Sequence, residues 1–161
     1  MTTIAERLAQ LNIVLPDAPP PVVNGYEPKF VPYVRSRNQI CLSGRLAKRD
    51  GEVWRGKLGA EWTAAEGQEA ARGIAIELVA VLRDALRNLE RVKRIARLLV
   101  LVNATSDFEL PHVVANGASE LLLQVFGERG AHARTACCVA QLPFGACVEI
   151  EMVAEVEEEE T

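Results

Sequence analysis

The chain has 161 residues, 49% of them hydrophobic and 25% charged, with a net charge of −4. That is the length and composition of one ordinary globular domain with room for a core. The acidic balance excludes a general attraction to nucleic acid or to an anionic membrane, since both need a basic surface.

The first residues, MTTIAERLAQL, mix acidic and basic side chains where a secretion signal would be apolar. The apolar runs elsewhere are too short and too interrupted to span a bilayer, so the expectation is a cytoplasmic protein without membrane contact. Thr3 and Glu6 form a capping box, with Ile4, Leu8 and Leu11 on one face of a short helix. An irregular arm rich in Pro and Gly follows, and residues 1–29 together are expected to lie outside the main domain. YVRSR and QICLSG read as a β-hairpin turning near Asn38, and EVWRGKLG as a third strand after the turn signal RDG. A second capping box, Thr63 with Glu66, opens the clearest helix; Ala71, Ile74, Ala75, Leu78, Leu82 and Ala85 make its stripe as far as about Asn88. The cluster of Arg91, Lys93, Arg94 and Arg97 reads as a solvated face and strand edge.

IARLLVLVNA is a buried strand, and LPHVVANGASELLLQVFG a second helix that Pro111 opens and Gly127 or Gly130 stops. Two strands close the chain, near residues 133–142 and 146–157, and read as a hairpin through Pro143 and Gly145. The order β-β-β-α-β-α-β-β implies an α+β domain, one mostly antiparallel sheet with both helices on one face. The other face needs water or a partner chain. Its mixture of small, apolar and charged residues favours self-association. The four cysteines, Cys41, Cys137, Cys138 and Cys147, contain no CxxC pair, so they read as buried reduced thiols without metal or disulfide.

Arg134 and Glu149 are charges in strands that should be half-buried, where an unpaired charge is costly. One reading is a salt bridge within the chain; the other is a binding site for a small charged molecule. If the terminal strands are hairpin neighbours, position 140 lies opposite 149, and Arg134 sits six residues away, roughly 20 Å at ~3.3 Å per residue. The two then meet only across a subunit boundary.

ARTACCVAQLPFGACVEIEMVA resembles the C-terminal signature of the YjgF/RidA family: an Arg in an alanine-flanked strand, a Leu-Pro turn, then V-E-I-E. VPYVRS resembles that family's Pro-Tyr segment, ICLSGRL its strand ending in Ser-Gly, GQEAARGIAIELVAVL its long helix and ANGASELLLQVFG its second. The resemblance covers about residues 30–155. It implies a RidA-like domain over 30–157 with an acidic tail at 158–161, a chorismate-mutase-like fold, and a homotrimer with clefts between subunits. It further implies cofactor-free hydrolysis of reactive 2-imino or enamine acids to 2-oxo acids and ammonia. By the same resemblance Arg134 binds the substrate carboxylate, Glu149 positions or activates water, and Tyr33, Ser43, Gly44 and Asn116 line the cleft. Ala136 stands where many members carry a Cys, so that position contributes backbone only. No metal site is implied.

Two other functions remain open: a trimeric module that binds small carboxylate metabolites without turnover, and a ribonuclease or translation inhibitor. The acidic charge and the lack of aromatics interleaved with basic residues weigh against the last. Trp54 and Trp62 read as packing residues. Neither His112 nor His132 carries a motif for metal or general-base work.

Overall fold

Thr63 begins the long helix as its sequence directs: its hydroxyl accepts from the Glu66 amide while the Glu66 carboxylate accepts from the Thr63 amide. Such a box contributes about 1 kcal/mol and fixes where the helix starts. In the structure, a computed structural model that describes residues 1–18 and 25–158, the elements in chain order are α1 (Ile4–Gln10), β1 (Tyr33–Ser36), β2 (Gln39–Leu46), β3 (Lys48–Arg49), β4 (Glu52–Val53), α2 (Ala64–Leu86), β5 (Val92–Asn103), α3 (Pro111–Phe126), β6 (Ala133–Val139) and β7 (Val148–Val156). The middle of the irregular arm, 19–24, and the end of the acidic tail, 159–161, lie outside the described residues.

The main sheet has five strands in the order β1-β2-β7-β5-β6, and every pair is antiparallel except β5 with β6. The expected third strand is not in it. EVWRGKLG contributes only β4, which pairs with β3 in a separate two-stranded ladder. Leu98, Val100 and Val102 of β5, with Ile150 and Met152 of β7, are fully buried beneath α2 and α3. The N-terminal helix joins the same core through Ile4 and Leu8.

The two terminal strands are not hairpin neighbours, which corrects the expected register of 140 opposite 149. Leu101 of β5 lies level with both Cys137 of β6 and Glu149 of β7. The reason is the crossover: a strand that leads through a helix packed back on the sheet returns parallel beside the strand it left. β6 is therefore placed at β5 by α3, and β5, apolar along most of its length, gains a ladder on both edges. The Pro143–Gly145 turn belongs to a connection that passes over the end of β5. Buried Asn103 holds that connection: its Nδ2 donates to Gln141 Oε1 (2.9 Å) and to the Ala146 carbonyl (3.1 Å), and its Oδ1 accepts from Lys57 Nζ at 2.6 Å.

The two helices approach most closely at glycines. A Cβ on Gly117 would strike the backbone carbonyl of Gln68 on α2, so only glycine allows this contact. The cysteines differ from the expected buried set. Cys147 alone is buried, its thiol pKa pushed up to about 11 by that burial, while Cys41, Cys137 and Cys138 are exposed in the single chain. Trp54 is buried and stands edge to face with Trp62 at 5.6 Å, with the Arg49 guanidinium 4.7 Å from the Trp54 ring.

Candidate functional site

Registered neighbours in a sheet point to the same side, so the pairing sorts the candidate residues. Arg134 is level with Leu98 and Ala136 with Val100, both buried on the helix side. Glu149 is level with Leu46 and Leu101, on the uncovered side. Arg134 and Glu149 therefore lie on opposite faces of the sheet. They are also two strand spacings apart, ~10 Å, and three residues apart in level, ~10 Å. One chain does not bring them together.

The first cluster forms at the free edge of the sheet, where β6 meets α3. Arg134 Nη1 donates to Asn116 Oδ1 at 2.9 Å and to Ser119 Oγ at 3.0 Å, and Nη2 donates to the His112 carbonyl at 3.2 Å. All three acceptors are uncharged, so among the described residues no acid neutralises this guanidinium. Behind it, His132 Nδ1 donates to the Gly130 carbonyl (2.6 Å), which leaves Nε2 to accept the Ser119 hydroxyl proton at 2.9 Å. Burial lowers the His132 pKa; the Gly130 carbonyl opposes that shift, and the Arg134 charge adds to it. A neutral His132 thus orients Ser119, and Ser119 orients Arg134. Neither residue was singled out as a site candidate from sequence. Both lie one helical turn or two strand positions from family-like residues, and this spacing was the available signal.

The second cluster forms on the uncovered face. Ser43 and Gly44 sit in a β-bulge, two residues of β2 opposite one of β7. The Ser43 hydroxyl donates to the Val31 carbonyl at 2.6 Å, so it is occupied in fastening the arm. Gly44 runs directly under Glu149: a Cβ there would lie 2.5 Å from Glu149 Oε1. Glu149 is half-buried, and burial first, then the neighbouring Glu151 charge, raises its pKa. The carboxyl lines a pocket of about 390 Å³ with Gly44, Leu46, Tyr26, Phe30 and Phe144.

Of the seven sequence candidates, Arg134, Asn116 and Ala136 fall in or beside the first cluster and Gly44 and Glu149 in the second. Ser43 adjoins the second. Tyr33 lies level with Leu42 and packs on the core at the opposite edge of the sheet, in neither cluster. Among the described residues no group of three or more His, Cys, Asp or Glu could hold a metal ion, and no helix is long and apolar enough to cross a membrane.

A model of the family described as "YjgF/chorismate mutase-like, putative endoribonuclease" matches residues 6–156. Protein TCP17 of Trypanosoma cruzi is 47% identical over 155 residues, 95% of this chain and 94% of that protein. Among solved structures, Atu1372 of Agrobacterium tumefaciens, a protein of unknown function, superimposes with a TM-score of 0.84 at 34% identity, over 96% of this chain and 92% of that one. A Shewanella oneidensis protein described as a "putative endoribonuclease" does so with a TM-score of 0.86 at 30% identity, over 96% and 99%. An arginine on the strand after α3, a glutamate over a glycine bulge and a mostly antiparallel sheet covered on one face are thus set in a known framework, and the chain belongs to the YjgF/RidA family.

Proposed function

We propose that the protein is a cofactor-free hydrolase of 2-imino or enamine acids, working in clefts where the β6 edge of one chain meets the uncovered sheet face of another in a homotrimer. The observation that carries this reading is the division of the charged pair. Arg134 is a cation held only by neutral acceptors, and Glu149 is a carboxyl with a raised pKa on the other face. Among the described residues Arg134 has no acidic partner, and the carboxylate of a small substrate lying between two chains supplies one, with its reacting carbon left to face Glu149. The uncovered face, with Leu46, Leu99, Leu101 and Val153 only half-buried, suits closure by a second copy.

The chemistry follows from the groups available. Three of the five guanidinium N–H groups of Arg134 are engaged, which leaves Nε–H and one Nη2–H, two donors for a substrate carboxylate. The substrate's C=N bond is attacked at carbon by water. Glu149 takes the water proton as the C–O bond forms, and the π-electrons move to nitrogen. Glu149 returns that proton to the nitrogen. The hydroxyl of the tetrahedral adduct then passes its own proton through Glu149 to the nitrogen, and as the C–N bond breaks ammonia leaves with the bonding pair and the C=O bond of the 2-oxo acid forms. A carboxylate whose pKa is raised toward neutrality is suited to both transfers. Ala136 offers only its backbone on this strand, so no thiol takes part at that position.

RNA cleavage fits less well. The net charge of −4 gives no electrostatic footprint for a polyanion, and the described basic residues do not interleave with aromatics along a strand. The test is ammonia release from freshly generated 2-aminoacrylate. Turnover that disappears in both Arg134→Ala and Glu149→Ala supports the reading. Binding of 2-oxobutyrate by calorimetry without any ammonia release would replace it with a non-catalytic carboxylate-binding module.

A further inference from the structure

The pocket above Gly44 is much larger than the reacting centre requires. Its volume of about 390 Å³ equals the share of roughly a dozen waters at ~30 Å³ each, and a three-carbon acid leaves most of that space empty. Its polar lining is the Glu149 carboxyl with the Arg45 and Lys48 side chains, and the remaining side chains are apolar: Leu46 and Pro143, and three aromatic rings, Tyr26, Phe30 and Phe144. Tyr26 and Phe30 remain 53% and 50% exposed, although large apolar side chains ordinarily gain by burial.

Phe144 adds an independent observation. Its backbone takes φ +57°, the left-handed region that a bulky residue occupies only under strain, although Gly145 stands beside it and would adopt it freely. The strained corner is held from two sides. Arg55 Nη1 donates to the Phe144 carbonyl at 2.6 Å, and the Gly145 amide donates to the Leu142 carbonyl at 3.0 Å. The ring placed this way does not enter the core. It meets the Tyr26 ring edge to face, 6.2 Å between centroids, at the pocket mouth. Strain maintained to hold an aromatic ring over a cavity, and not to fill the interior, points to a ligand.

We propose that this pocket is a side-chain subsite, and that the substrates of this protein are 2-imino acids with a bulky apolar side chain, aromatic above all. This rests on the hydrolase reading for the orientation of the ligand. The carboxylate goes to the Arg134 of one chain and the imine carbon to the Glu149 of the next, which leaves the third substituent to run along Leu46 toward Phe144 and Tyr26. A ring there presents its edge or face to aromatic partners, and a methyl group reaches none of them.

The experiment compares phenylpyruvate with pyruvate as product analogues by calorimetry, and ammonia release from the imines that an amino-acid oxidase generates from phenylalanine and alanine. The expected result is about tenfold tighter binding of phenylpyruvate, with the same order in kcat/KM. Phe144→Gly relieves the backbone strain, so its folding is not in question. It should weaken phenylpyruvate at least about fivefold while pyruvate stays within about twofold. Equal affinities for the two acids, or equal losses in Phe144→Gly, overturn the subsite and leave the Arg134 and Glu149 roles standing. If neither acid binds and no imine is hydrolysed, the hydrolase reading fails and the subsite with it.

Discussion

Mixing two inactive variants tests the divided site directly. Arg134→Ala removes the carboxylate partner, and truncating one side of a hydrogen-bonded charge pair costs about 2–5 kcal/mol, roughly thirtyfold to several-thousandfold in kcat/KM. Glu149→Ala removes the proton carrier, at a cost of about 10²–10⁴ in rate. Because the two residues lie on opposite faces of one sheet, each proposed cleft draws them from different chains. Chains of the two variants assembled at random in equal amounts therefore rebuild a complete cleft whenever a Glu149→Ala chain supplies the arginine and an Arg134→Ala chain the glutamate. That happens in about a quarter of clefts in a closed ring. Co-expressed or co-refolded material, shown by native mass spectrometry to contain both chains, should then recover about a quarter of wild-type ammonia release. Activity no higher than the mean of the two parents in such mixed assemblies would falsify the division between chains.

Four further outcomes are expected. Gly44→Ala should lower kcat at least about tenfold with the fold intact, since its new methyl displaces only the flexible end of Glu149; Gly117→Ala, which drives a methyl into the Gln68 backbone far from both clusters, should instead cost about 1–3 kcal/mol in thermal unfolding. The rate should fall as pH drops through the raised pKa of Glu149, because only the ionised carboxyl accepts the proton. A carboxyl whose folded pKa is raised opposes folding as pH climbs from 4.5 through that pKa, so Glu149→Gln should be inactive but melt higher than wild type at neutral pH, with the difference vanishing in acid. Ser119→Ala should raise KM about fivefold with kcat nearly unchanged, the value of one lost hydrogen bond of ~1 kcal/mol behind Arg134. His132, with a lowered pKa, makes wild type lose stability as pH falls below 6.5, and His132→Gln should flatten that loss in acid unfolding curves.

Much of the architecture could be read from local patterns. The two capping boxes place the starts of α1 and α2 within the chemistry of four residues, and Pro111 and Gly127 bracket α3 in the same way. Apart from Ala85, which is half-buried, the apolar stripe of α2 and the alternation along β7 name residues that are buried, because each periodicity depends only on the geometry of its own element. The neighbours of β6 were not legible. Leu-Pro followed by Phe-Gly resembles a hairpin turn, and nothing in those residues reports that β5 passes between the strands they connect. The Ser119–His132 support was missed for a related reason: the two are 13 residues apart and touch only once α3 has folded back on β6.

By itself the sequence determined most of the elements, their buried faces, the family and the two charged residues that stand out in otherwise apolar strands. Tertiary structure alone decided that those charges face opposite ways, that a neutral histidine stands behind the arginine, and that three aromatic rings surround a pocket at the glutamate. The physical reason is range. Capping, periodicity and turn chemistry act over a few residues, whereas the crossover through α3 and the connection over β5 bring together side chains that no local rule relates.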